Sequence, residues 1–124
     1  MTLSEPRPVR LLAFILGLVL CASGVSKLAS QPVQVTHFIG WGLPHWFLLL
    51  VGTFEALGGV LLALPVSRPV GSLMLSTIMV GAVWTHVAHG EWLEAVPVVA
   101  VLSLLLYIFR VARGRAIRLL GGAA

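Results

Sequence analysis

Charge is what this chain has least of. Eight basic and four acidic residues among 124 leave charged side chains at 10% of the sequence. Soluble domains carry about 25%, so this chain lacks the polar surface to cover itself in water. With 59% hydrophobic residues and a mean hydropathy of +1.05, a soluble domain is excluded. Cysteine is nearly absent as well. Cys21 stands alone, which rules out an intrachain disulfide or a CxxC pair, and with them a self-contained dithiol oxidoreductase. Leu18-Val19-Leu20 before it lack the small side chains of a lipoprotein cleavage site. There is also no glycine-rich cofactor loop, no repeat of fixed period and no low-complexity tract.

What the chain does have is four long apolar runs, at 9–29, 44–64, 70–89 and 93–112. Each is close to the length of about 20 residues that crosses about 30 Å of hydrocarbon. They predict an all-α integral membrane four-helix bundle, antiparallel and up-down. Four spans with short loops use nearly the whole length, so 1–124 is read as one membrane domain with a basic tail at 113–124. A cleaved signal peptide ending near Cys21-Ala22-Ser23 is the weaker reading of the first run, because the apolar stretch outlasts a usual h-region.

Arg7, Arg10, Arg68, Arg110, Arg113, Arg115 and Arg118 flank the ends that would share one face. By the positive-inside rule this places both termini and the Arg68 turn on the cytoplasmic side of a bacterial-type plasma membrane. The net charge of +4 is then an orientation signal, of which the segment from Arg110 to Arg118 can also touch anionic lipid headgroups, and no nucleic-acid partner is expected. Trp41, Trp46, Trp84, Trp92, His37, His45, His86 and His89 gather at the opposite ends, with Glu91 and Glu94. Most of the tryptophans fit an interfacial aromatic belt. Residues 30–43 form the longest loop and are expected to hold a short helix on the membrane surface.

Helical spacing places Ala13, Gly17, Ser23, Gly24 and Lys27 on one face of the first span, and small residues let membrane helices approach closely. In the second span Gly52, Gly58 and Gly59 share a face with Glu55, which points Glu55 into the bundle, roughly 16 Å below Pro44 at 1.5 Å per residue. An ionised carboxylate there costs at least about a few kcal/mol, so it is paired, protonated or functional. The functional readings are a proton relay, a cation site or a hydrogen bond to a quinone-like head group; the structural one is a glutamate that ties helices together. Lys27 is its candidate partner, yet the two differ in depth by about 10 Å on the same rise. Either both side chains reach, or water or His86 stands between, or Lys27 snorkels to the interface. His86, His89 and Glu91 only weakly resemble a metal constellation, since a metal site needs further ligands and supporting hydrogen bonds; no metal is expected. Haem is not expected either, because all four histidines sit near one rim. A ring of tryptophan and histidine around a dip toward Glu55 would suit a flat aromatic ligand, with Trp41 and Trp84 beside it.

Gly24-Val-Ser-Lys27-Leu28, Gly42-Leu-Pro44, Glu55-Ala-Leu-Gly58-Gly59-Val-Leu-Leu62, and then Ala82 and His86 occur in an order and spacing that resemble the DoxX and DoxX-like membrane proteins, over about 10–112. The resemblance implies a four-helix membrane bundle and, for some members, a link to oxidoreduction: DoxD-type proteins form part of a thiosulfate:quinone oxidoreductase, and others associate with redox partner proteins. Lys27, Glu55, Gly59 and His86 match the family's motif positions.

Three functional classes follow. The leading one is a membrane subunit or anchor for quinone-linked oxidoreduction, with Glu55 exchanging a proton, His86 bonding the head group and Lys27 setting local charge. Its cofactor would be a non-covalently held quinone, and its partners the lipid bilayer, a redox protein and, in a homo-oligomer, its own copies. The second is a non-enzymatic scaffold or assembly factor whose polar residues lock the bundle. The third is a small proton-coupled transporter, although compact four-helix carriers usually place their acid in the first helix.

Overall fold

A computed structural model describes residues 5–123, and the side chains at 118, 119 and 121–123 lie outside that description, Arg118 of the basic cluster among them. The described residues form five helices: α1 (Arg7–Leu28), α2 (Pro32–Gly40), α3 (His45–Ala63), α4 (Arg68–Ala88) and α5 (Trp92–Ala123). All but α2 are long and apolar enough to cross a membrane, and they correspond to the four expected spans. The loop at 30–43 does hold a short helix, α2. The main departure is α5, which continues past 112 through the basic segment. Its backbone hydrogen bonds are internal, so the helix does not need to end where the apolar run ends.

The helix ends follow from local chemistry. Pro8, Pro32 and Pro69 occupy the first turns of α1, α2 and α4, where a missing amide proton costs nothing. At the other ends, Ser30, Gly42 and Gly90 have φ of 52°, 75° and 73°. Each closes its helix with paired backbone bonds, for example Gly90 N to Val87 O at 3.1 Å and Glu91 N to His86 O at 2.8 Å. This is the Schellman arrangement, for which glycine is the favoured residue.

The bundle is built by backbone contact between α1 and α3. A methyl group added to Gly17 would fall 2.6 Å from Gly59 O, and one added to Gly59 would fall 2.6 Å from Gly17 O. Farther along, Gly24 lies against Gly52 and Ala56. Lipid tails are as apolar as leucine, so such association relies on close packing of small residues. On the other flank of α3, Gly58 meets Leu75, and Gly71 meets Leu61 and Leu62, which seats α4. The shared core includes Val9, Ala13 and Leu16 of α1, Leu62 of α3, Leu75 of α4, and Leu105 and Ile108 of α5. It fills the half of the bundle near the α3–α4 turn.

That turn is closed by a charge. Arg68 is 2% exposed; its guanidinium donates to Leu62 O at 2.8 Å, to Ala63 O at 2.9 Å and to the Glu5 carboxylate. Ser67 Oγ donates to Leu61 O at 2.9 Å. Three carbonyls that the end of α3 leaves without helical partners are thereby satisfied, and a cation sits at the negative end of the helix dipole. Arg68 is thus a buried clasp as well as one of the arginines that flank the spans.

If α1 and α3 touch through glycine, Gly59→Ala lowers stability by about 1–3 kcal/mol, the usual cost of overpacking. Gly81→Ala, whose methyl meets nothing within 4 Å, should be neutral. Thermal unfolding in detergent compares the two, and equal melting temperatures would refute the close contact.

Candidate functional site

Lys27 and Glu55 form a direct ion pair, with Nζ 2.8 Å from Oε1 and Glu55 only 3% exposed. The depth difference read from sequence is bridged through Gly52, three residues before Glu55. A side-chain carbon at position 52 would lie 2.8 Å from Lys27 Cβ; its absence lets the lysine stem cross α3. Lys27 therefore turns inward and does not snorkel, and His86 does not stand between the pair. Lys27 Nζ also donates to Ser23 Oγ at 3.0 Å, one helical turn earlier. Ser26 Oγ donates to Ser23 O at 2.9 Å and accepts from Gln34 Nε2 at 2.9 Å, which ties α2 to the same polar patch.

His86 has a different partner. The αL turn at Gly90 folds the chain back so that Glu91 Oε1 lies 2.8 Å from His86 Nδ1. The same oxygen accepts from Trp41 Nε1 at 3.1 Å, and the Trp41 and His86 rings meet edge to face at 5.2 Å. An ionised carboxylate only accepts hydrogen bonds, so Nδ1 carries the proton. In the neutral ring Nε2 is then an acceptor, and the hydrogen bond that His86 makes to Glu91 leaves it unused. Hydrogen bonding from His86 is the first cause, with Trp41 and the nearby histidines adding to it, that holds the Glu91 carboxyl below its ordinary value of 4.5 against the opposing effect of desolvation.

All five residues singled out from sequence, Lys27, Glu55, His86, Trp41 and Trp84, line one cavity of about 1010 Å³. It occupies the half of the bundle that the apolar core leaves open. Lys27 and Glu55 supply its charged wall, and Phe38, Phe47 and Met79 add apolar surface. Trp46 and Trp92 are 65% and 66% exposed and do not line it. His37 reaches the cavity and stacks on Trp41 at 5.7 Å, while His45 bonds Ser30 Oγ at 2.9 Å. His89 Nδ1 approaches Thr85 O at 2.8 Å, away from the Glu91 bond of His86, and the described residues contain no group of three that could hold a metal ion.

Sequence reasoning missed Ser23 and Gln34 as neighbours of the ion pair, and Glu91 as the residue joining Trp41 to His86. The first was within reach, since Ser23 precedes Lys27 by four and shares its face. Glu91 could be found only from the glycine turn before it.

An internal ion pair beside an open cavity, enclosed by four apolar helices, defines a small helical membrane protein with a buried polar site. The DoxX-like family matches residues 11–109, and the chain belongs to that family. Neither the curated proteins nor the solved structures contain a significant match to it.

Two outcomes follow from this geometry. Lys27→Met alone should destabilise the protein by about 3–5 kcal/mol, because it strands a buried charge, whereas Lys27→Met combined with Glu55→Met should be near neutral. Chemical unfolding of the four-member cycle measures this, and additive losses would show that the pair is not coupled. The second concerns pH. Because the Glu91 carboxyl is held below 4.5 in the folded protein, the stability it contributes is present above that value and is lost as pH falls through its lowered value. Tryptophan fluorescence should show an acid transition with a midpoint below pH 4.5. Glu91→Gln should abolish it, and Trp41→Phe should remove the part of the signal that Trp41 reports; its persistence in Glu91→Gln would refute the assignment.

Proposed function

We propose that this chain is a membrane subunit or anchor for quinone-linked oxidoreduction, and that the Lys27–Glu55–His86 cavity holds the quinone head group. The observation that carries the reading is the set of hydrogen-bonding groups that face the cavity. It offers one cation at Lys27, one carboxylate at Glu55 and one unpartnered imidazole nitrogen at His86. Aromatic rings line the same space, and its volume is at the upper end of the roughly 300–1,000 Å³ typical of pockets for small ligands. Lys27 can donate to a quinone oxygen, and Glu55 and His86 Nε2 can accept from a quinol hydroxyl, so the groups fit a flat ring that carries two oxygens.

A bound quinone would supply the exchange of two electrons with two protons. Lys27 would donate a hydrogen bond to one ring oxygen, and its charge would favour electron density there. Glu55 would accept or return a proton through its carboxylate. His86 would take a proton at Nε2 and release one from Nδ1 to Glu91, whose side chain is 37% exposed and leads to water. Trp41 and Trp84 would flank the ring. Electrons would come from or go to a separate redox protein, because Cys21 is the single cysteine.

The same reading orients the chain. The pairing of Gly17 with Gly59 and of Gly24 with Gly52, and of Gly58 with Leu75 and of Gly71 with Leu62, supports an antiparallel up-down bundle. The arginine distribution supports cytoplasmic termini in a plasma membrane, with the cavity toward the opposite face. A second reading, a scaffold locked by its polar residues, is favoured by the direct Lys27–Glu55 pair, which already satisfies both charges.

In lipid nanodiscs the wild-type protein should bind a quinone, measured by quenching of tryptophan fluorescence. With its redox partner present, Glu55→Gln should slow electron transfer about 100-fold or more, as expected for loss of a proton carrier. No quinone binding, together with electron transfer indifferent to Glu55→Gln, would leave the scaffold reading standing.

A further inference from the structure

The cavity is open along the bundle wall as well as at its rim. Leu50 and Phe54 on α3 and Trp84 on α4 all line it, yet they are 42%, 46% and 73% exposed. Thr77, Gly81 and Trp84 form one exposed stripe of α4 at helical spacing and border the same space. Below them α3 and α4 are in contact, with Leu75 filling the space over Gly58. The gap between the two helices therefore has a floor at Gly58 and Leu75 and is bordered above it by Thr77, Gly81 and Trp84. A side-chain carbon added at Gly81 meets nothing within 4 Å, so there is room at this position and glycine is not needed for packing.

We propose that this gap is a lateral portal, and that the occupant is a long-tailed bilayer-resident quinone whose head enters from the hydrocarbon between α3 and α4 while its tail remains in the portal. The inference rests on the head-group reading above and extends it to the substrate class and the route of access. The physical reason is that each methylene kept out of water is worth about 0.8 kcal/mol. A long-tailed ligand reaches the site without leaving the membrane only if the wall is open at that depth. Leu50, Phe54 and Gly81 offer the tail an apolar passage. The charged wall at Lys27 and Glu55 offers it no favourable contact and so sets which end of the ligand goes in first.

The test uses the full chain in nanodiscs with two probes, a decyl-tailed benzoquinone and the same ring without its tail. Affinity is read by tryptophan quenching, with thermal unfolding as the check on folding. Gly81→Phe and Thr77→Phe each place a ring in the portal. Both variants should bind the tailed probe at least about tenfold more weakly, a loss of about 1.4 kcal/mol, and bind the tail-less ring as the wild type does. Unchanged affinity for the tailed probe in both folded variants would overturn the portal alone. Equal loss of both probes would also overturn it, by showing that the new ring fills the head-group site. A wild-type protein that binds neither probe would overturn the head-group reading and the portal with it.

Discussion

The backbone contact between α1 and α3 is the constraint on which the rest of the molecule depends. Gly17, Gly24, Gly52 and Gly59 bring backbone against backbone where the two helices meet, so their axes approach more closely than leucine or valine would allow. Dispersion forces acting over such a surface are individually small and collectively large, and in lipid they replace the missing hydrophobic drive. The same approach makes the site. Only because position 52 has no side chain can the stem of Lys27 cross α3 and set its ammonium against Glu55.

The two halves of the bundle are built for different ends. Near the α3–α4 turn, Arg68 gathers three hydrogen-bonding partners and the apolar core is continuous. Toward the tryptophan rim the helices are joined instead by polar links: Gln34 to Ser26, Trp41 to Glu91, and Glu91 to His86. One half is dry and closed, and the other is open and lined by groups that can change protonation. Charged groups are tolerated beside this largely apolar cavity because Lys27 and Glu55 pair with each other, and a buried ion pair is costly chiefly when one member is removed.

Much of the architecture was legible because the solvent imposes it. About 20 apolar residues cross a bilayer, and the apolar runs revealed four spans. Placing Glu55 on the glycine face of its helix also succeeded, since helical periodicity and the preference for small residues at contacts both act locally. Arg68 shows where that reasoning stops. Its position beside an apolar run marks a flanking charge of the turn, but only the fold shows that Glu5, 63 residues away in sequence, pairs with it and lets it be buried. Lys27 shows the same limit, because residue depth along one helix says nothing about a hole in the next.

The sequence by itself determined the solvent, the spans, the membership of the polar face and the split between an arginine end and a tryptophan end. These properties depend on composition and on spacing within single helices. Tertiary structure alone decided the partners: Lys27 with Glu55, His86 with Glu91 and Trp41, and Arg68 with Glu5. Partnership is a matter of a few ångströms between different elements. Here glycines at a helix crossing and a left-handed turn at Gly90 set those distances, and the partners they bring together are not visible until the helices are packed.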